Sequence, residues 1–223
     1  MRLFLISFLL AGQAAFAVTI NWSTVQTSTG VTSPANSLGA PNGQNASLSP
    51  TGLLTVSQFL QSVAYSDSAL AAALNLSSLP LFNVILLEFN GTAGLGWEGS
   101  QFSFTSGGPA VSMQVNNGAG IGTPVNYVVA AGAISAAAYQ SLFGSTAVGA
   151  ADIPYLLFNL SGSGVNAAAP NFQLSINGFN GSTPDPDAIG IVPPGVPEPS
   201  TGILMLSAAA CVVYLKRSRG SRD

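Results

Sequence analysis

Histidine is missing from the chain, and cysteine occurs once, at Cys211. The first absence removes the Ser-His-Asp and Cys-His forms of nucleophilic catalysis and every imidazole metal ligand. The second removes an intramolecular disulfide. Charge is also scarce, with 6% charged residues against 48% hydrophobic ones. Lys and Arg are confined to the two ends, at Arg2, Lys216, Arg217, Arg219 and Arg222. A nucleic-acid binder needs such cations to displace counterions from phosphates, so the body of the chain is excluded from that class. Binding of the body to anionic lipid fails for the same reason. Between Leu3 and Leu215 stand seven acids and no base, a formal charge of −7: Asp67, Glu88, Glu98, Asp152, Asp185, Asp187 and Glu198. No ion pair can form there. Each acid is expected in water at the surface, hydrogen-bonded to neutral groups, or bound to an external cation. Ser and Thr are plentiful, but neither His nor Lys stands in the body to activate them, so no catalytic residue and no cofactor is expected.

The ends are richer in signal. Met1-Arg2 precedes an apolar run, Leu3 to Leu10, and then Gln13-Ala14-Ala15-Phe16-Ala17. A charged start, an apolar core and an Ala-x-Ala site read as a secretory signal peptide over 1–17. Ala15 and Ala17 place signal-peptidase cleavage after Ala17, which makes the protein an exported one starting at Val18. At the other end, Pro197-Glu198-Pro199 is followed by an apolar segment, 203–215, and a basic end, 216–222, containing Lys216, Arg217, Arg219 and Arg222. The apolar segment predicts a short membrane helix whose cations stay on the cytoplasmic side. Thirteen residues span about 20 Å, less than a hydrocarbon core of about 30 Å, which suits a temporary anchor in the inner membrane.

This tail, 196–223, resembles the PEP-CTERM sorting signal of Gram-negative bacteria, with its three parts in the family's order. The resemblance implies recognition by exosortase, a membrane-embedded transpeptidase-like protease. It further implies removal of the tail near Pro197, Glu198 and Pro199, and delivery to the cell surface or an exopolysaccharide matrix. Those three residues would be recognised and would catalyse nothing themselves. Two prolines hold the local backbone extended, as presentation to a protease requires.

Between the ends lies a body, 18–192, joined to the tail by a Pro/Gly linker, 193–195. Apolar and polar residues alternate in Phe172–Asn177, Val111–Asn116 and Phe102–Phe104, the signature of half-buried strands. Leu81–Phe89 and Tyr155–Leu160 are continuously apolar and predict central strands. Asn-Gly and Gly-rich pairs punctuate them. The expected fold is mainly β, an antiparallel β-sandwich or jelly-roll-like body with a few short helices. The segments Ser37–Gly43 and Asp185–Ile191 look like first and last elements of discoidin-like or jelly-roll domains. Helical spacing of Phe59, Leu60, Val63, Leu70, Ala73 and Leu74 predicts two short helices across 56–76, with Ser66-Asp67-Ser68 as a cap between them. Ala-rich Ser135–Phe143 predicts another.

Three constellations are candidates for binding or chemistry. Asp185 and Asp187 bring two carboxylates close together, and Ca²⁺, which takes about six to eight oxygens, would relieve their repulsion. A solvated loop before a last strand is the competing expectation. Glu88 and Glu98 flank a Gly-rich loop and could face each other as a glycosidase acid/base pair. Trp97, with Tyr127 or Tyr155, would form a sugar-stacking platform if exposed, and Trp22 is a further candidate; burial in the core is the competing expectation. The reading that follows is an exported structural or adhesive protein in contact with extracellular polysaccharide, with a carbohydrate-binding module as the alternative and a Glu/Asp-dependent hydrolase behind it.

Overall fold

The computed structural model describes residues 17–88, 97, 100–114, 127–145, 152–178 and 183–193. Ala15, the sorting motif at 197–199, the apolar segment and the basic end lie outside the described residues, as does Glu98. No helix among the described residues is long and apolar enough to cross a membrane. The compact unit of the fold spans Val18–Pro194.

The body is mainly β. Its strands are β1 (Ala17–Thr32), β2 (Ser47–Ser66), β3 (Val84–Glu88), β4 (Ser100–Thr105), β5 (Val111–Gln114), β6 (Val128–Ser135), β7 (Asp152–Phe158), β8 (Gln173–Gly178) and β9 (Pro186–Ile191). They form one sheet in the order β5-β4-β8-β2-β1-β9-β3-β7-β6. Every pair whose register is defined is antiparallel. Two short helices, α1 (Asp67–Ala73) and α2 (Ala136–Phe143), interrupt the strands.

The sheet curls into a half-barrel. Phe104 on β4 and Phe158 on β7 have ring centroids 5.1 Å apart, although six strand steps separate them in the sheet. In a flat sheet six steps would span about 29 Å. The two halves therefore face each other across an inner core. Leu54 and Val56, Phe102 and Phe104, and Leu174 and Ile176 meet Val84, Leu86, Leu156 and Phe158 there.

β3 and β7 are buried on both faces, which is why they are continuously apolar. Ile85 and Leu87, one residue out of phase with Val84 and Leu86, join a second core under the helices with Ile20, Trp22, Leu70, Tyr139, Tyr155 and Leu157. α2 begins at Ser135, whose hydroxyl accepts the Ala138 N–H at 3.2 Å, and ends at Gly144 in the left-handed region. Both caps are the residue types those positions favour.

The two helices expected over 56–76 reduce to one. Residues 56–66 belong to the twenty-residue strand β2, and only Asp67–Ala73 is helical. The cause is a kink at Gln58, which sits at φ +53°. Leu54 and Val56 point inward before it, and Phe59 points inward after it. One inserted residue thus turns spacings of two into a spacing of three, which imitates a helix.

Candidate functional site

The acids do not follow the expectation of solvated surface groups. Glu88 is 2% exposed and Asp187 1% exposed. Asp187 lies within β9 rather than in a loop before it, and the pairing of β3 with β9 explains its direction. Leu87 pairs with Ala188 while Glu88 pairs with Pro186, so Asp187 is the extra residue of a bulge. Bulges of this kind re-aim a side chain that regular alternation would send elsewhere.

Here the side chain meets α2. Tyr139 Oη donates to Asp187 Oδ2 at 2.6 Å and accepts the N–H of Gly43 at 3.0 Å. Gly43 sits at φ +80°, a conformation that favours glycine, and this turns its N–H to the phenol. Burial pushes the Asp187 carboxyl up to about 7; the Tyr139 hydrogen bond and the backbone N–H groups of Asn42, Gly43 and Gln44 act in the opposite direction. Burial and the adjacent Asp187 raise Tyr139 well above the ordinary tyrosine range. Around this pair stands an aromatic cluster. Phe143 packs on Tyr139 at 5.0 Å, on Tyr65 at 5.5 Å and on Trp22 at 6.3 Å. Trp22 Nε1 donates to Tyr65 Oη at 3.3 Å. The Asp187 carboxyl ties the 42–44 loop, α2 and the β9 bulge together.

Asp185 and Asp187 are engaged separately. The side chains of Ser47 and Asn45 lower the Asp185 pKa against burial, which raises it overall. Glu88 Oε1 accepts the Asp185 backbone N–H at 3.0 Å. Among the described residues no group of three or more acids or cysteines is placed to hold a metal ion. Glu88 is a core acid rather than the wall of an open cleft, and the separation of Glu88 from Glu98 falls outside the described residues.

The aromatic platform is overturned by burial. Trp97 is 1% exposed and stacks edge-on against Phe102 at 5.4 Å. Trp22 and Tyr155 are also buried, and Tyr127 is packed against the inner core. Tyr155 spends its hydroxyl on the Leu74 carbonyl at the end of α1, at 2.8 Å.

One surface is assembled only by the fold. Inward apolar residues of β2, β8 and β4 alternate with outward ones that are polar except for Leu53. Val111 and Ser112 of β5 continue the pattern, and the register aligns the outward set into ranks across the strands. Thr55, Ser175, Ser103 and Ser112 form the middle rank. Leu53, Asn177 and Gln101 form a second rank. Ser57, Gln173 and Thr105 form a third. Hydrogen bonds cross it, with Thr55 Oγ1 and Ser175 Oγ 2.8 Å apart and Ser112 Oγ donating to Ser103 Oγ at 3.2 Å. The alternation within each strand is visible in the sequence; the alignment between strands is not.

No family model, no curated protein and no solved structure matches the chain.

Proposed function

We propose that the protein is an exported cell-surface or extracellular-matrix protein, sorted and processed by exosortase, whose β body is structural or adhesive beside exopolysaccharide. The observation that carries this reading is the order Pro197-Glu198-Pro199, apolar 203–215, basic 216–222. The signal-peptide pattern over 1–17, read by signal peptidase, supports export. The apolar segment acts as a transient inner-membrane helix. Within the body, the opposition of two sheet halves supports a sandwich or jelly-roll-like description. The buried state of Glu88, Asp187, Trp97 and Tyr155 supports a non-catalytic role over chemistry or sugar stacking by those residues.

Terminal mass spectrometry on protein from the native host, with cell fractionation, tests the reading. A Glu/Asp-directed protease is required, because the body contains no Lys or Arg. The expected mature chain starts at Val18, ends near 197–200 and is extracellular. Mature membrane protein that retains Lys216–Asp223 overturns processing and leaves a simple anchor.

A further inference from the structure

We propose that the solvent face of the β5-β4-β8-β2 half of the sheet is a docking surface for a neutral polysaccharide chain. It deepens the matrix reading and rests on it for where such a chain is met, while the face itself stands on register and charge. The occupant is set first by electrostatics. Among the described residues the acids belong elsewhere: Asp67 to α1, Glu88 to β3, Asp152 to β7, and Asp185 and Asp187 to β9 and the residue before it. No cation stands anywhere in the body. A polyuronate or sulfated chain therefore finds nothing to neutralise it on this face, and a basic partner finds no acid there among the described residues. Complementarity is left with a neutral partner.

Hydrogen-bonding chemistry then selects among neutral partners. The aromatic rings of this half, Phe59, Phe102 and Phe104 in the inner core and Tyr65 in the second, are buried, so stacking has no platform. The exposed apolar side chains of β2, Leu53 and Leu60, stand seven residues apart rather than as a patch. In the three ranks, what faces water besides Leu53 is hydroxyls and primary amides. Each both donates and accepts, as do the hydroxyls of a sugar chain. Leu53, at one end, is the only outward apolar side chain among the three ranks. Cross-strand bonds such as Thr55–Ser175 hold these groups in place before any partner arrives, which reduces the side-chain entropy lost on binding. Bridging waters would complete such an interface without weakening it.

The test uses the full chain in mild detergent. The probes are amorphous cellulose, dextran and mannan as neutral glycans, and alginate as a polyuronate. The protein should be retained by at least one neutral glycan and not by alginate. The double variant Ser112→Ala/Gln173→Ala removes two exposed hydrogen-bonding side chains, Ser112 as an acceptor because its proton goes to Ser103, and Gln173 as donor and acceptor. It should weaken retention about tenfold, at about 0.7 kcal/mol per lost hydrogen bond. Gln140→Ala, exposed on α2, should leave retention unchanged, and circular dichroism verifies that each variant is folded. Retention on alginate equal to that on the neutral glycans, or absence of retention on all of them by folded protein, overturns the proposal. Equal weakening by Gln140→Ala moves any site off this face. Self-association that the double variant abolishes, with no glycan retention, makes the face a contact between copies and also overturns it. None of these outcomes depends on how the tail is processed, so failure here leaves the terminal mass spectrometry result standing.

Discussion

Tyr139 Oη donates to Asp187 Oδ2 at 2.6 Å across 48 residues of sequence, and the same oxygen accepts the Gly43 N–H. One hydroxyl thus serves an acid and an amide that are both buried. Tyr139→Phe removes the donor and the acceptor together while keeping the ring against Phe143. Leaving buried polar groups short of partners costs about 1–3 kcal/mol each, so a loss of about 2–4 kcal/mol is expected by urea denaturation at pH 8. A Tyr139→Phe protein as stable as the parent at pH 8 would show that this contact contributes nothing.

The same acid sets a pH dependence. The Asp187 carboxyl titrates at about 7 in the folded chain, above its ordinary value of 3.8. The folded state therefore binds more protons than the unfolded state between these values. Stability is highest at or below about pH 4 as far as this group is concerned, falls as pH rises toward 7, and levels off above it. Asp185, also raised by burial, acts with the same sign. A decline of a few kcal/mol between pH 4.5 and 8 is expected, on the order of 1.4 kcal/mol per unit of displacement. Asp187→Asn should flatten most of that slope. A parent whose denaturation midpoint rises steadily from pH 4.5 to 8 contradicts the sign.

Much of the fold is legible in local pattern. Phe102 and Phe104, and Leu174 and Ile176, alternate with polar neighbours because one face of β4 and of β8 is wet. The continuous runs of β3 and β7 follow from burial on both faces. What fails is wherever one residue is inserted. At Gln58 a bulge imitates helical spacing, and at Asp187 a bulge sends an acid, written beside Pro186 as though in a loop, into the second core. The middle rank Thr55–Ser175–Ser103–Ser112 draws on three separated segments, and no local window contains it. The sequence is compatible with either exposure or burial of Trp97, and the curl of the sheet, which brings β4 against β7, buries it against Phe102.

The Gln58 kink predicts an inverted order of substitutions. In an ordinary strand Val is preferred to Gly by about 1 kcal/mol. At φ +53° the order should reverse, because Gly enters the left-handed region freely and a β-branched residue strongly resists it. Gln58→Gly should be neutral or stabilise by up to about 1 kcal/mol, whereas Gln58→Val should destabilise by about 2 kcal/mol. The hydrogen bond from Thr24 Oγ1 goes to the Gln58 carbonyl and survives both changes. Paired thermal melts check this. Val more stable than Gly at 58 would mean that the strand is regular there.

Gly190 marks where β9 approaches the Trp22 side chain. A Cβ at 190 would lie 2.5 Å from Ile20 Cγ2 and 2.8 Å from Trp22 Cε3. Both side chains are fully buried, so neither has solvent to move into. The strand cannot retreat, because Gly190 is paired on one side with Trp22 of β1 and on the other with Ile85 of β3. A single added methyl group therefore overpacks a site closed on every side, and Gly190→Ala should cost about 1–3 kcal/mol or more. Ile20→Ala removes the nearest clashing atom at the cost of a cavity, itself about 2–5 kcal/mol. The two defects are complementary, since the new methyl group lies where Ile20 Cγ2 was. Denaturant midpoints of both single variants and the double variant should therefore show a double loss smaller than the sum by at least about 0.5 kcal/mol. Strict additivity would mean that Gly190 and Ile20 do not meet, and that β9 does not sit against β1 in this register.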